Sequence, residues 1–316
     1  MHKEFKGIDH EFEVNGSEIQ MKHKGFQMNE RLGELCVGIA LCLRATSLMF
    51  GKIALRTMGP FLLMGTRFLI AFVVIGLIFN KVVRRATRKE LLHSAIIGLF
   101  SVLSIGLELK GLQTTDTSVT AFIEGTIVIM VPIITCVTHR MLPDKVTVIT
   151  AVCSLVGVGL LTLKGGHLGF SSGELIITVA TFWFALVVIF TDKYSKTDDP
   201  AVIAIMQMLF IGIFSMIGAF FFEDIRLPSS GEEWMSILAL ALICSGVGFT
   251  LQPLGQKYTS PERVGVLSLL NPVTAAVLGL LFLGEHMTWN KLLGSTIILL
   301  AILVPAWMKM RQEEQK

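Results

Sequence analysis

The sequence predicts an all-α integral membrane protein: ten transmembrane helices arranged as two inverted five-helix repeats. Three observations carry this. Apolar residues fill 53% of the 316 positions and charged residues only 16%, against about 25% charged in soluble domains. The apolar residues gather into ten runs of membrane-spanning length. The second five runs repeat features of the first at a nearly constant offset. So much apolar surface cannot be hidden behind so few charges, which excludes a soluble enzyme, a disordered chain and a nucleic-acid binder. The net charge of +3 names no partner.

Residues 1–32 form a polar tail with no apolar h-region, so no cleavable signal peptide is read there. The spans then follow at roughly 33–53, 60–79, 91–112, 117–138, 146–163, 173–192, 201–222, 234–254, 262–283 and 290–308. No ten-residue alternating strands suggest a barrel. Pro60, Pro143, Pro200 and Pro261 stand at or just before helix starts, where a missing N–H costs nothing. Gly165-Gly166 closes the fifth span. Trp234, Trp289 and Trp307 fall at span ends, the level favoured by indoles. Cys36, Cys42, Cys136, Cys153 and Cys244 all lie in apolar runs with no metal-ligand spacing and read as small core residues.

Orientation follows from the basic residues. One set of loops carries Lys81, Arg84, Arg85, Arg88, Lys89, Arg140, Lys145, Lys193, Lys196, Lys257 and Arg263. The other carries only Lys52, Arg56, Lys110, Lys164, Arg226 and Lys291. The richer side is read as cytoplasmic, which puts both termini inside the cell membrane of a multi-pass protein.

The halves align with each other. Pro60 and Arg67 match Pro200 and Gln207, 140 positions on; Thr114-Thr115 match Tyr258-Thr259, 144 positions on. An odd number of spans per copy inserts the second copy upside down, with a substrate site near the midplane between the halves. The expected organisation is a tail at 1–32, repeats at 33–165 and 166–308, and a cytoplasmic tail at 309–316.

Two segments carry a family resemblance. GLQTTDTSVTAFIEGTIVIMVP, from Gly111 to Pro132, resembles a segment of the drug/metabolite transporter superfamily, in its EamA-like branch. QKYTSPERVGVLSLLNPVTAAVLGLLFLGEHMTWNKLLGSTIILL, from Gln256 to Leu300, resembles the corresponding second-half segment and is the more specific of the two. Arg67-Phe68 and Lys52 also match. The resemblance covers residues 33–308 and implies a ten-helix inverted-repeat fold that moves a small metabolite. Family members begin close to the first helix, and Met28-Asn29-Glu30-Arg31 reads like such a start. The chain departs from the pattern at Arg44, where the family often has Trp, and at Thr114, where it often has Tyr. Pro132 lies eighteen residues after Thr114, whereas Pro272 lies fourteen after Tyr258. Each proline breaks a helix hydrogen bond and frees a carbonyl to bend the helix or face a cavity.

Charges at lipid depth are expensive and mark a cavity or a partner. Arg44, Arg67, Glu108 and Glu124 are such charges. In one reading the arginines hold an anionic substrate group and a glutamate binds an ammonium or a proton; in the other they pair with the glutamates and fix the bundle. Arg44 is favoured as a substrate residue because it replaces an aromatic. Arg67 is favoured as structural because the resembling family often has Arg there. Glu108 and Lys110 lie near a helix end, which leaves an interfacial role open. The repeat offsets relate Arg67 to Gln207, Glu108 to Gln252 and Glu124 to Ser268, so the site should be charged toward one face and neutral toward the other. Asn271 and Trp183 complete the candidate lining.

Both charge signs point to an amino acid or a small carboxylate; the resemblance implies that it is exported, and the inverted repeats allow alternating access. The alternatives are a multidrug exporter and, further off, a membrane-embedded lipid-modifying enzyme. No catalytic constellation is present for the last: His93, His139 and His167 are scattered. No metal site, cofactor or phosphate-loop motif is read. The expected partners are the small-molecule substrate, membrane lipids and a proton as candidate coupling ion. The Gly157/Gly159 and Gly246/Gly248 pairs read as close helix packing and leave the oligomeric state open.

Overall fold

The computed structural model describes residues 30–138, 148–149, 152–153, 156–157, 160, 163–164, 167–168, 171–226, 228–259, 267, 270–284, 288–290 and 292–301. The helices are α1 (Glu30–Ala54), α2 (Pro60–Ile78), the short α3 (Asn80–Arg84), α4 (Arg88–Leu112), α5 (Thr117–Gly125) and α6 (Ile127–Thr138). After them come α7 (Ser172–Thr197), α8 (Pro200–Phe222), α9 (Gly231–Ala239), a π-helical stretch over Leu240–Gly248, α10 (Phe249–Gln256) and α11 (Leu270–Phe282), then α12 (Leu292–Ala301). Seven helical stretches among the described residues are long and apolar enough to cross a membrane, and α11 and α12 are shorter apolar helices. The predicted fifth span lies mostly outside the described residues, as do Arg140, Pro143, Lys145, Pro261, Arg263, Ser268 and Trp307. Leu163–Lys164 and His167–Leu168 form a two-residue antiparallel ladder, a small β element absent from the all-helical expectation.

The helix starts have local causes. Thr87 with Glu90, Ser171 with Glu174 and Ser230 with Glu233 each form a reciprocal cap at the first turn, satisfying two orphan N–H groups at once. Pro60 and Pro200 sit at first helical positions. Glu223, from beyond the end of α8, accepts from the backbone N–H of Phe61 and Leu62 at 2.8 Å each and so caps α2 across the bundle. The fourth predicted span is interrupted at Thr126, whose hydroxyl donates to the Ile123 carbonyl at 2.6 Å.

α4 is central and packs on both α7 and α8; α2 packs on α8 and the π-helical stretch, and α1 on α10 and α11. Phe68, Leu63, Met64, Leu109, Leu112 and Met208 are wholly buried. Two glycine crossings bring backbone against backbone and are related by the repeat. A Cβ on Gly173 would lie 2.9 Å from the Gly111 carbonyl oxygen, and one on Gly255 would lie 2.7 Å from that of Gly33. Neither can be accommodated without moving backbone. The two crossings are copies: Gly33 and Gly173 are 140 positions apart, and Gly111 and Gly255 are 144 apart. Around them Thr115 approaches Gly173 as Thr259 approaches Gly33. Following the chain back and forth through its hairpins places the two crossings at opposite ends of the bundle.

The end that carries the α7–α8 corner is clasped by charge. Asp198, 3% exposed, pairs with Lys89 at 2.9 Å and with His93. Arg85 pairs with Asp199, and Glu90 accepts from the Asp199 backbone N–H at 3.2 Å. His93 also stacks on Tyr194, centroids 3.8 Å apart. Burial works against the Asp198 charge, but the hydrogen bonds from His93 and Lys89 prevail and hold its carboxyl below the usual aspartate range. This contribution to stability is therefore present above the unfolded value of about 3.9 and is lost as pH falls through the lower folded value. Asp198→Asn is expected to lower the unfolding temperature in detergent at pH 7 and to flatten its fall at acid pH. Identical acid limbs for the variant and the wild type would refute the assignment.

Candidate functional site

Helix geometry brings four of the predicted residues together. Arg44 lies mid-way along α1, Glu108 four residues from the end of α4, Glu124 beside the break between α5 and α6, and Asn271 at the start of α11. Arg44 Nη2 donates to Glu108 Oε2 at 2.6 Å and to Glu124 Oε1 at 3.1 Å. Asn271 Nδ2 donates to the other Glu124 oxygen at 3.3 Å. The three charged side chains are 11%, 4% and 2% exposed. The guanidinium also lies over the Phe184 ring, 3.9 Å from its centroid, a cation–π contact made stronger by desolvation. Phe184 is 140 positions after Arg44, so the cation rests on its own counterpart in the second half.

A small cavity adjoins this cluster. Its wall includes Arg44, Ser101, Ser104, Phe184, Thr191, Gln207, Phe249 and Gln252. The space for water centres is about 10 Å³, room for about one water molecule. The cavity is thus small, and several polar atoms in and beside it are unmatched among the described residues. Arg44 Nε, Ser101 Oγ, Thr191 Oγ1 and Asn271 Oδ1 are buried without a hydrogen-bond partner among the described residues. Such groups are costly unless something else satisfies them.

The other candidates fall at differing distances from this centre. Gln207 and Gln252 both line the cavity. Gln207 Nε2 donates to the Phe249 carbonyl at 3.3 Å. That carbonyl would ordinarily be served by residue 253, but Pro253 has no N–H, so a side chain substitutes for the missing backbone donor. Arg67 is 4% exposed. It makes no hydrogen bond or ion pair among the described residues; its Nε is unpartnered, its guanidinium faces the Phe68 ring at 4.9 Å, and Glu108 is within electrostatic reach. Two arginines and two glutamates leave the cluster formally neutral. Trp183 stands apart: it stacks on Phe100 with centroids 5.9 Å apart and does not line the cavity, because one residue along a helix turns a side chain by about 100°. Its neighbour Phe184 takes the wall. Pro272 packs beside Gly125 and Pro132 lies within α6; neither lines the cavity.

Phe184, Pro253, Ser101, Ser104 and Thr191 are site residues that the sequence reading passed over. A usable signal existed for Phe184 in the offset of 140 from Arg44. Glu108, left open as interfacial, is buried in the ion pair, whereas Lys110 two residues on is exposed. No group of three or more His, Cys, Asp or Glu residues is placed to hold a metal among the described residues.

The comparisons agree with this architecture. The model of the EamA-like transporter family matches twice, over residues 31–163 and 171–306. An uncharacterized transporter of Archaeoglobus fulgidus is 27% identical over 253 residues, 80% of this chain and 79% of that protein. The threonine/homoserine exporter RhtA of Escherichia coli K12 is 27% identical over 164 residues, 50% of this chain and 52% of that protein. A solved crystal structure shares the fold at a TM-score of 0.67 and 18% identity, covering 90% of this chain and 100% of its own. With its apolar membrane-length helices and two matched segments, the chain is a multi-pass integral membrane protein that moves a small molecule, and it belongs to the EamA-like transporter family.

Proposed function

We propose that the protein exports a small zwitterion, an amino acid, across the cell membrane by alternating access. The observation that carries this is the buried Arg44–Glu108–Glu124–Asn271 cluster, whose Arg44 stands on the wall of a small cavity. A guanidinium suits a carboxylate and the glutamates suit an ammonium group. The neutral amides and hydroxyls of Gln207, Gln252, Ser101 and Thr191 offer further donors and acceptors. The name of the partly matching threonine/homoserine exporter favours the same substrate class.

In this reading ten helices form two inverted repeats, at 33–165 and 166–308, with both termini in the cytoplasm. Support comes from the two family-model matches and from the glycine crossings related by the offsets of 140 and 144. Inverted copies with a midplane site allow one half to rock against the other.

The test is efflux from proteoliposomes loaded with labelled L-threonine or L-homoserine. Efflux above that of protein-free vesicles, slowed by competing amino acids, is the expected result. No efflux of any amino acid, with resistance to hydrophobic cations on expression, would replace this reading with a multidrug exporter.

A further inference from the structure

A second, larger space lies at the Gly111 end of the bundle and shares no lining residue with the central cavity. It offers about 700 Å³ to water centres, against about 10 Å³ in the cavity, and so falls within the range of ligand pockets, roughly 300–1,000 Å³. It is a groove, left because α2 and α4 both pack on α8 but touch each other only lightly. The start of α2, the last turns of α4 and the end of α8 wall it. The Phe61 ring lies against Gly106 of α4 on one side and 6.3 Å from the Phe222 ring on the other.

The three walls have the same polarity. On α4, Leu103, Leu107 and Lys110 are spaced by four and three, which keeps them on one face, with the cation nearest the helix end. Ahead of α2, Arg56 stands five positions before Phe61; beyond α8, Arg226 stands four positions after Phe222. All of these residues line the groove. Each wall is thus apolar at depth and basic toward the membrane surface. From Lys110 down to Leu103 the rise along α4 is roughly 10 Å, most of one leaflet's share of a hydrocarbon core about 30 Å thick.

The acids on the groove are engaged. Glu223 accepts from the Phe61 and Leu62 N–H groups at 2.8 Å each, and Asp224 lies 3.7 Å from Arg226. Arg56 and Lys110 are exposed and make no ion pair among the described residues. Snorkelling puts cations at this level on many helix ends, but it does not leave a groove of this volume beneath them.

We infer that the groove binds one anionic phospholipid of the surrounding leaflet, its phosphate held by Arg56 and Lys110 and an acyl chain laid between Phe61, Phe222 and the Leu103–Leu107 face of α4. A guanidinium and an ammonium give a phosphate charge-assisted hydrogen bonds. A soluble anion would use the two cations and leave the apolar walls unfilled. A zwitterionic lipid would fill the walls but bring its own cation to Arg56 and Lys110. In the topology proposed above this leaflet is the outer one. The lipid fills the gap between α2 and α4 and ties their ends together, whatever substrate is carried.

The experiment is native mass spectrometry of delipidated protein in detergent, titrated with phosphatidylglycerol, with phosphatidylcholine of the same acyl chains, or with glycerol 3-phosphate alone. The wild type is expected to bind one phosphatidylglycerol about tenfold or more tightly than phosphatidylcholine, because each basic residue near the surface favours anionic lipid, and to retain no glycerol 3-phosphate. Arg56→Gln with Lys110→Gln should bring phosphatidylglycerol down to the phosphatidylcholine level. Leu103→Trp, which fills the groove and keeps both cations, should weaken both lipids. Lys81→Gln with Arg84→Gln, on α3 at the opposite end, should change neither. The lipid-free unfolding temperature of the Arg56/Lys110 variant should match that of the wild type, since exposed, unpaired side chains are replaced. Phosphatidylglycerol should raise it in the wild type and not in that variant. Glycerol 3-phosphate bound as tightly as phosphatidylglycerol would overturn the lipid in favour of a soluble anion. Equal affinity for the two lipids, or an equal loss in the Lys81/Arg84 variant, would leave only an unspecific lipid belt and overturn the site.

Discussion

Arg44→Gln is expected to destabilise the protein by about 3–5 kcal/mol, the cost of stripping one partner from a buried ion pair, and to abolish transport. Arg44 Nη2 is the donor that holds Glu108 at 2.6 Å and Glu124 at 3.1 Å. Without it two buried carboxylates face each other, with only Asn271 to donate to one of them. Packing is lost as well, because the guanidinium covers the Phe184 ring. The decisive comparison is with Arg44→Gln/Glu108→Gln/Glu124→Gln, which removes all three charges and keeps their volumes near the original. Thermal unfolding in detergent should return toward the wild-type value, since a neutral set carries no unpaired buried charge. Efflux should not return, because nothing is left to hold a zwitterion. A single variant that folds and transports normally would remove Arg44 from both roles.

That comparison turns on residues whose roles were legible only in part. The span positions could be read because the bilayer imposes a length and excludes charge, and helix starts could be read from Pro60 and Pro200. The break at Thr126 could not, because it depends on one hydroxyl finding the Ile123 carbonyl. Arg44, Glu108 and Glu124 stood out because charge at lipid depth is rare, but their pairing is a fact of three helices meeting. Sequence favoured Arg44 as a free substrate ligand and Arg67 as a paired structural residue. In the structure Arg44 is the paired one, and Arg67 has no hydrogen-bond partner among the described residues. Trp183 is a lining candidate from its mid-span position alone, whereas the register of α7 gives the wall to Phe184. The hydroxyls escaped notice because Ser and Thr are ordinary in helices, and only the missing carbonyl bond makes them unusual.

Leu at Gly173 and Leu at Gly33 are expected to push the protein in opposite directions. Each glycine lets two helices touch backbone to backbone, Gly173 against Gly111 and Gly33 against Gly255, at opposite ends of the bundle. A side chain at either position must part those helices, because its Cβ would meet a carbonyl oxygen or a threonine hydroxyl. Overpacking of this kind costs about 1–3 kcal/mol. The two crossings are repeat copies, so their costs should be similar, and each is relieved by opening its own end. Gly173→Leu should then favour the conformation open at the Gly111 end, and Gly33→Leu the one open at the Asp198 end. A penalty of this size moves a two-state population by about tenfold or more. The measurement is thiol labelling of a single cysteine at Ser104, on the cavity wall, in a protein stripped of its five native cysteines. An impermeant reagent applied from the Gly111 side of sealed vesicles should react faster with the Gly173 variant than with the parent, and more slowly with the Gly33 variant. Both should transport poorly, since a cycle needs each end to close in turn. If both substitutions change labelling in the same direction while the protein stays folded, the crossings are only packing contacts, and the paired-gate account of the two halves fails.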